Sequence, residues 1–131
     1  MDLDLVSALR VLLADADTAD RADVAEALRA QGDHVHIDEV SDGPEAWAKL
    51  RHTRYDLAVL ELRLPRLNAL ELLRLTRTLD SQPVTVVVFD TPSPALEGMA
   101  YRLGATYCDR KPVEIDRLIR ILNQEAVARR G

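Results

Sequence analysis

Tyr55-Asp56-Leu57-Ala58-Val59-Leu60-Glu61-Leu62-Arg63-Leu64-Pro65 is the stretch that decides the fold. Leu57 to Leu60 is a short apolar run with no polar alternation, closed by an acid and then a turn. A run of that length without alternation suits a strand buried on both faces. Upstream, Val11-Leu12-Leu13-Ala14 has the same form and also ends in an acid, Asp15. Downstream, Val84 to Phe89 is the most β-branched segment of the chain. Val35 to Val40 alternates apolar and polar residues, as an outer strand does, and Thr106 to Asp109 makes a short fifth strand.

Helical patterns fill the gaps. Thr18 to Gln31 places Val24, Ala25 and Leu28 on one face and stops at Gly32. Pro44 to Arg54 turns Ala46, Trp47 and Leu50 inward, with Pro44 tolerated near the start. Leu67 to Leu79 packs Leu70 and Leu73, and Leu72, Leu75 and Leu79 are further candidates. Pro92 to Leu103 reads as a helix interrupted by Pro94 and Gly98. Glu114 to Ala128 carries Ile115, Leu118, Ile119 and Leu122 at 3.6-residue spacing. Strict alternation of strand and helix predicts an α/β domain, a three-layer sandwich with a parallel sheet covered on both faces. Right-handed crossovers leave the flavodoxin-like order 2-1-3-4-5 as the expected (βα)5 arrangement. Residues 1–131 are expected to form one domain, with a core from about Arg10 to Asn123.

Composition narrows the function. The chain has 131 residues and a net charge of −5, which opposes broad binding to a nucleic-acid backbone. Its one cysteine, Cys108, rules out an internal disulfide and suits a reducing compartment. Met1-Asp2-Leu3-Asp4 lacks the basic start of a secretory signal, and no apolar run approaches a membrane span. The expected location is cytoplasmic, with no nucleic-acid or membrane partner.

In doubly wound sheets, ligands bind beyond the carboxyl ends of the strands. Here those ends carry Asp15-Ala16-Asp17, Glu61, Asp90-Thr91 and Arg110-Lys111-Pro112. Several acids and one lysine therefore converge on one edge. Strands often end in charged residues simply because they end at water, but a single edge collecting the full set is a stronger signal.

The stretches Arg10 to Asp15, Tyr55 to Pro65 and Lys111-Pro112 resemble the receiver domains of bacterial two-component response regulators, over roughly Arg10 to Asn123. The resemblance implies an aspartate after the third strand that accepts a phosphoryl group from a histidine kinase. It also implies two acids after the first strand that help to bind Mg²⁺, a Ser or Thr after the fourth strand, a Lys followed by a cis-proline after the fifth, and a mobile aromatic residue on the fifth strand. Asp15, Lys111 and Pro112 match this pattern. Ala16 stands at the second acid, Glu61 at the phosphoacceptor and Asp90 at the Ser/Thr position, followed by Thr91. Cys108 stands at the mobile aromatic, with Tyr107 one place earlier, and Pro65 to Ala69 lacks the glycines usual in that turn.

These departures bear on the chemistry. Mg²⁺ needs carboxylates in near-octahedral geometry, and Ala16 brings none. Asp15, Asp17 and Glu61 are the remaining candidate metal ligands, although Asp17 also fits as the cap of the Thr18 helix. Glu61 reaches about 1.5 Å further than Asp, and a displacement of ~1 Å from attack geometry can cost ~100-fold. A carboxylate at Asp90 repels phosphoryl oxygens. The longer Glu61 can instead reach Lys111, with Asp90 sharing it, and fill the site with a permanent ion pair.

The expected function is a stand-alone atypical receiver in phosphorelay-type signalling. It would be no enzyme, carry no cofactor, bind Mg²⁺ weakly or not at all, and act through protein contacts. A histidine kinase or output protein is the expected partner, and a homodimer through the fourth helix, fifth strand and fifth helix is an option that the resemblance implies. Arg117, Arg120, Arg129 and Arg130 lie on that last helix. The alternative is a working Mg²⁺-dependent phosphoacceptor. A further alternative is a small phosphatase, since Asp15-Ala16-Asp17 resembles the Asp-x-Asp pair of haloacid-dehalogenase-type enzymes. However, that family needs a Thr two residues after its second Asp, and Ala19 stands there. His34, His36 and His52 are too scattered for a metal site.

Overall fold

A computed structural model describes residues 8–126 and residue 128. Five strands and five α-helices alternate along them. They are β1 (Leu9–Ala14), α1 (Thr18–Arg29), β2 (Val35–Val40), α2 (Gly43–His52), β3 (Leu57–Glu61), α3 (Ala69–Thr76), β4 (Val84–Phe89), α4 (Pro94–Arg102), β5 (Tyr107–Arg110) and α5 (Ile115–Arg120). All the strand pairs are parallel, in the order β2-β1-β3-β4-β5. This is the expected flavodoxin-like α/β fold.

The two-residue strand period divides the core. Leu12, Ala14, Leu60, Val87, Phe89 and Cys108 point to the layer that also holds Ala46, Leu50, Leu72 and Ala100 of α2, α3 and α4. Val11, Leu13, Leu57, Val59, Val86 and Val88 point the other way, onto Ala25 and Leu28 of α1 and Leu118 of α5. Every residue of β3 and β4 is buried, as a central strand covered on both faces requires. Asp15 and Glu61 continue the odd-numbered rows of β1 and β3, so the same period aims both at the layer of α1 and α5.

Three helical readings need correction. Pro94 does not interrupt α4 but opens it, with Ser93 as the N-cap accepting from Leu96 N–H at 3.4 Å. Gly98 lies inside the helix without ending it. The last helix keeps α geometry only to Arg120 and widens to a π-helix over Ile121–Ala126. Arg129 and Arg130 lie outside the described residues. α3 is shorter than its apolar pattern at both ends: a capping box of Asn68 and Glu71 starts it at Ala69, and it ends at Thr76 with Arg77 as the C-cap. Trp47 is half-buried against the core rather than within it. His36 and His52 are exposed, and His34 is half-buried.

The turn after β3 is clamped to α2. Asp42, the buried N-cap of α2, accepts from Glu45 N–H and from the Arg66 guanidinium, which hold its carboxyl below the usual range. Gly43 N–H donates to Pro65 O at 3.1 Å. Arg66 itself has φ +68°, a left-handed conformation that glycine adopts more readily. Arg66→Ala and Arg66→Gly lose the same guanidinium, so what separates them is backbone strain at φ +68°, set against the larger unfolded-state entropy of glycine. Arg66→Gly should be the more stable by about 1 kcal/mol in urea denaturation, and a more stable Arg66→Ala would contradict it.

The outer edge of β5 is capped from within. Cys108 N–H donates to the hydroxyl of the half-exposed Tyr101 at 3.1 Å. Arg110 N–H donates to Asp109 Oδ1 at 2.8 Å.

Candidate functional site

Lys111 follows β5 directly, and its backbone N–H donates to Phe89 O at 2.9 Å. That bond places the start of the side chain at the carboxyl edge of the sheet, and the Lys111-Pro112 peptide beyond it is cis. The ammonium then reaches across β4 towards β3 and β1. Nζ lies 2.9 Å from Asp15 Oδ2, 3.1 Å from Asp15 Oδ1 and 3.1 Å from Glu61 Oε1. It also lies 3.1 Å from Asp20 Oδ2, on the first turn of α1, and 3.8 Å from Asp90 Oδ1.

These contacts are unequal in worth. The side chains of Lys111, Glu61 and Asp15 are 15%, 10% and 16% exposed, so water screens them little. Asp20 and Asp90 are about half-exposed and count for less. Below the pair, a crevice of about 20 Å³ between Leu13, Val59, Val88 and Val113 has room for about one water.

Glu61 uses both oxygens. Oε1 meets Lys111, and Oε2 accepts from Ala16 N–H at 3.0 Å. Burial pushes its pKa up, the Ala16 N–H pulls it down, the Asp15 carboxylate pushes it up and Lys111 pulls it down. The net direction is upward. For Lys111, burial alone would favour the neutral amine. The bonds to Asp15, Glu61 and Asp20 outweigh it and hold the group above the ordinary lysine range.

The other predicted residues separate. Asp17 caps α1, accepting from Asp20 N–H at 2.9 Å, and its own N–H donates to Asp15 Oδ1. Ala16 offers the pocket only its N–H. Thr91 is exposed. Cys108 is buried in the layer of α2, α3 and α4, and burial raises its pKa. Tyr107 bonds Glu125, and the Arg117 guanidinium lies over its ring at 5.7 Å. Asp20 is the partner that the sequence reading missed. Its only signal is its place in the first turn of a helix that begins beside the pocket.

A doubly wound sheet with acids and a lysine at its carboxyl edge defines the scaffold of a receiver. The model of the response regulator receiver domain matches residues 11–123, and the chain belongs to that family. A response regulator receiver protein of Anaeromyxobacter sp. (strain Fw109-5) is 34% identical over 111 residues, 84% of this chain and 45% of that protein. A protein-glutamate methylesterase/protein-glutamine glutaminase of Methanospirillum hungatei is 33% identical over 79% of this chain and 31% of its own length. The chain thus spans less than half the length of these curated relatives. In fold, it is similar to a CheY-like receiver domain from Methanospirillum hungatei, with a TM-score of 0.86 and 23% identity over 95% of this chain and 100% of that one. The receiver domain of a sensor histidine kinase from Pseudomonas aeruginosa PAO1, which holds a magnesium ion in its active-site cleft, has a TM-score of 0.81 and 21% identity over 93% and 99%.

Proposed function

We propose that this chain is an atypical receiver that signals without accepting a phosphoryl group. The observation that carries this reading is the engagement of both Glu61 oxygens, one with Lys111 and the other with Ala16 N–H. An acceptor oxygen must stand free and in line with the donor phosphorus. Both Glu61 oxygens are held by other groups, so attack would have to break one of those bonds, and Asp90 adds a half-exposed carboxylate 3.8 Å from Lys111 that would repel phosphoryl oxygens.

The donor set also fits Mg²⁺ poorly. Ala16 supplies no ligand, both Asp15 oxygens face Lys111, and among the described residues no group of three or more His, Cys, Asp or Glu side chains is placed to hold a metal. Phosphoryl transfer depends on positioning and charge neutralisation, and this pocket lacks the parts for both.

The domain is then a binding module with no reaction of its own. Its ion pair holds one arrangement of the strand ends, and a kinase or output protein reads its surface. Among the described residues, no helix is long and apolar enough to cross a membrane.

The test is incubation with acetyl phosphate and Mg²⁺ followed by intact mass. No gain of mass is expected. A stable gain of one phosphoryl group on the wild type, lost in Glu61→Gln, would overturn the reading in favour of a working phosphoacceptor.

A further inference from the structure

We infer that the outer edge of β2 docks a second copy of this chain, the two β2 strands pairing antiparallel about a two-fold axis at Ile37. Leu9 N–H donates to His34 O at 2.7 Å and Asp15 N–H to Val40 O at 3.1 Å, so the even-numbered residues of β2 bond to β1. The alternate residues, Val35, Ile37 and Glu39, then turn their main-chain groups outward. Val35 N–H is taken up by Gly32 O at 3.2 Å. Among the described residues, the N–H groups of Ile37 and Glu39 and the carbonyl of Val35 have no hydrogen-bond partner. Ile37 O accepts only a long bond of 3.4 Å from the half-exposed Arg29, which leaves it a lone pair. The edge also lies open. A groove of about 590 Å³ runs beside it, lined in part by Arg29, Val35, His36, Ile37 and Asp38. β5 closes its outer N–H groups with Tyr101 and Asp109, whereas β2 carries neither such a cap nor a proline.

The strand is complementary to its own reverse. With the axis at Ile37, Ile37 N–H meets Ile37 O of the second copy in both directions, and Glu39 N–H meets Val35 O in both directions. Four main-chain bonds form without disturbing the ladder to β1. On the face turned towards α2, His36 lies opposite Asp38 of the second copy, twice in each dimer. Asp38 meets Tyr55 and Arg10 through Oδ2, so Oδ1 is left to receive the imidazole. On the other face the half-buried Ile37 meets its own counterpart. Moving the axis to His36 or to Asp38 sets identical side chains opposite each other, so charge selects the register at Ile37. A two-fold contact of this kind closes at two copies.

The experiment is sedimentation equilibrium from about 10 μM to about 1 mM protein, with hydrogen–deuterium exchange at both ends of that range. A monomer–dimer equilibrium with a dissociation constant below about 1 mM is expected, with slower exchange at Ile37 and Glu39 in the dimer. His36 is exposed, so its substitution leaves the core intact. His36→Asp faces Asp38 with a second acid at both contacts and should weaken the dimer about tenfold, while His36→Lys should dimerise at least as tightly as the wild type.

A chain that stays monomeric throughout the range overturns the inference. So does a dimer whose protected amides lie on α4, β5 or α5 instead of β2. Equal dissociation constants for His36→Asp and His36→Lys would refute the pairing of His36 with Asp38, and with it the register proposed.

Discussion

Lys111→Met should lower the free energy of unfolding at neutral pH by about 3–5 kcal/mol, the range for a buried ion pair that loses one partner. The cause is repulsion and desolvation among the acids left behind. Asp15 and Glu61 are mostly buried and adjacent, and once Lys111 is gone they keep only the N–H groups of Asp17 and Ala16, with the Arg21 guanidinium held nearby on Asp15 O. Glu61→Gln should behave quite differently. Lys111 would keep Asp15 and Asp20, and an amide oxygen can still accept from Ala16 N–H. Because burial and Asp15 already oppose the ionised Glu61, its loss should change stability by less than about 1 kcal/mol. Urea denaturation of the two variants measures this asymmetry, and equal losses would refute it.

The pH profile should show the same asymmetry. The folded pKa of Lys111 is raised, so its contribution is complete below the unfolded value of about 10.4 and fades as pH rises through the higher folded value. The gap between wild type and Lys111→Met should close on that alkaline side. The folded pKa of Glu61 is also raised, so the folded state binds more protons just above the unfolded value of about 4.3. Wild-type stability should fall there as pH rises, and Glu61→Gln should lack that slope.

Gly43→Ala should be the second large loss, about 3 kcal/mol or more. A Cβ at Gly43 would stand 1.9 Å from Leu67 O and 2.3 Å from Leu67 Cβ. The first of these is backbone and has no rotamer to retreat into. The turn after β3 or the start of α2 would have to move, breaking the Gly43 N–H bond to Pro65 O. Gly98→Ala is the control, since its Cβ would meet only the flexible end of Arg102 at 3.4 Å. Thermal unfolding should separate the two clearly, and similar midpoints would show that the turn yields easily.

The sheet was legible because its inner strands are nearly uninterrupted apolar runs and its outer strand β2 alternates apolar with polar residues. β2 and β4 begin and end where their residue patterns do. Helix ends were harder to read, since Ser93 and Asn68 set them through local hydrogen bonds that outweigh the apolar spacing. At the pocket, the reach of Glu61 to Lys111 followed from one added methylene on a known strand end. The bond that Lys111 donates to Asp20 did not, because it depends on how α1 leaves the sheet. The clamp of Asp42 on Arg66 was equally hidden, joining residues 24 apart through the tertiary fold. Asp90 was expected to share the lysine, and at 3.8 Å and half-exposed it does so only loosely.

The capped edge of β5 has a consequence for how this protein meets others. An extended segment laid beside β5 would find the N–H groups of Cys108 and Arg110 already engaged by Tyr101 and Asp109. Zippering by main chain alone, which joins exposed strand edges regardless of sequence, is thereby discouraged. A partner approaching from this side must recognise particular side chains, so fidelity there is built into the sheet margin before any regulatory input acts.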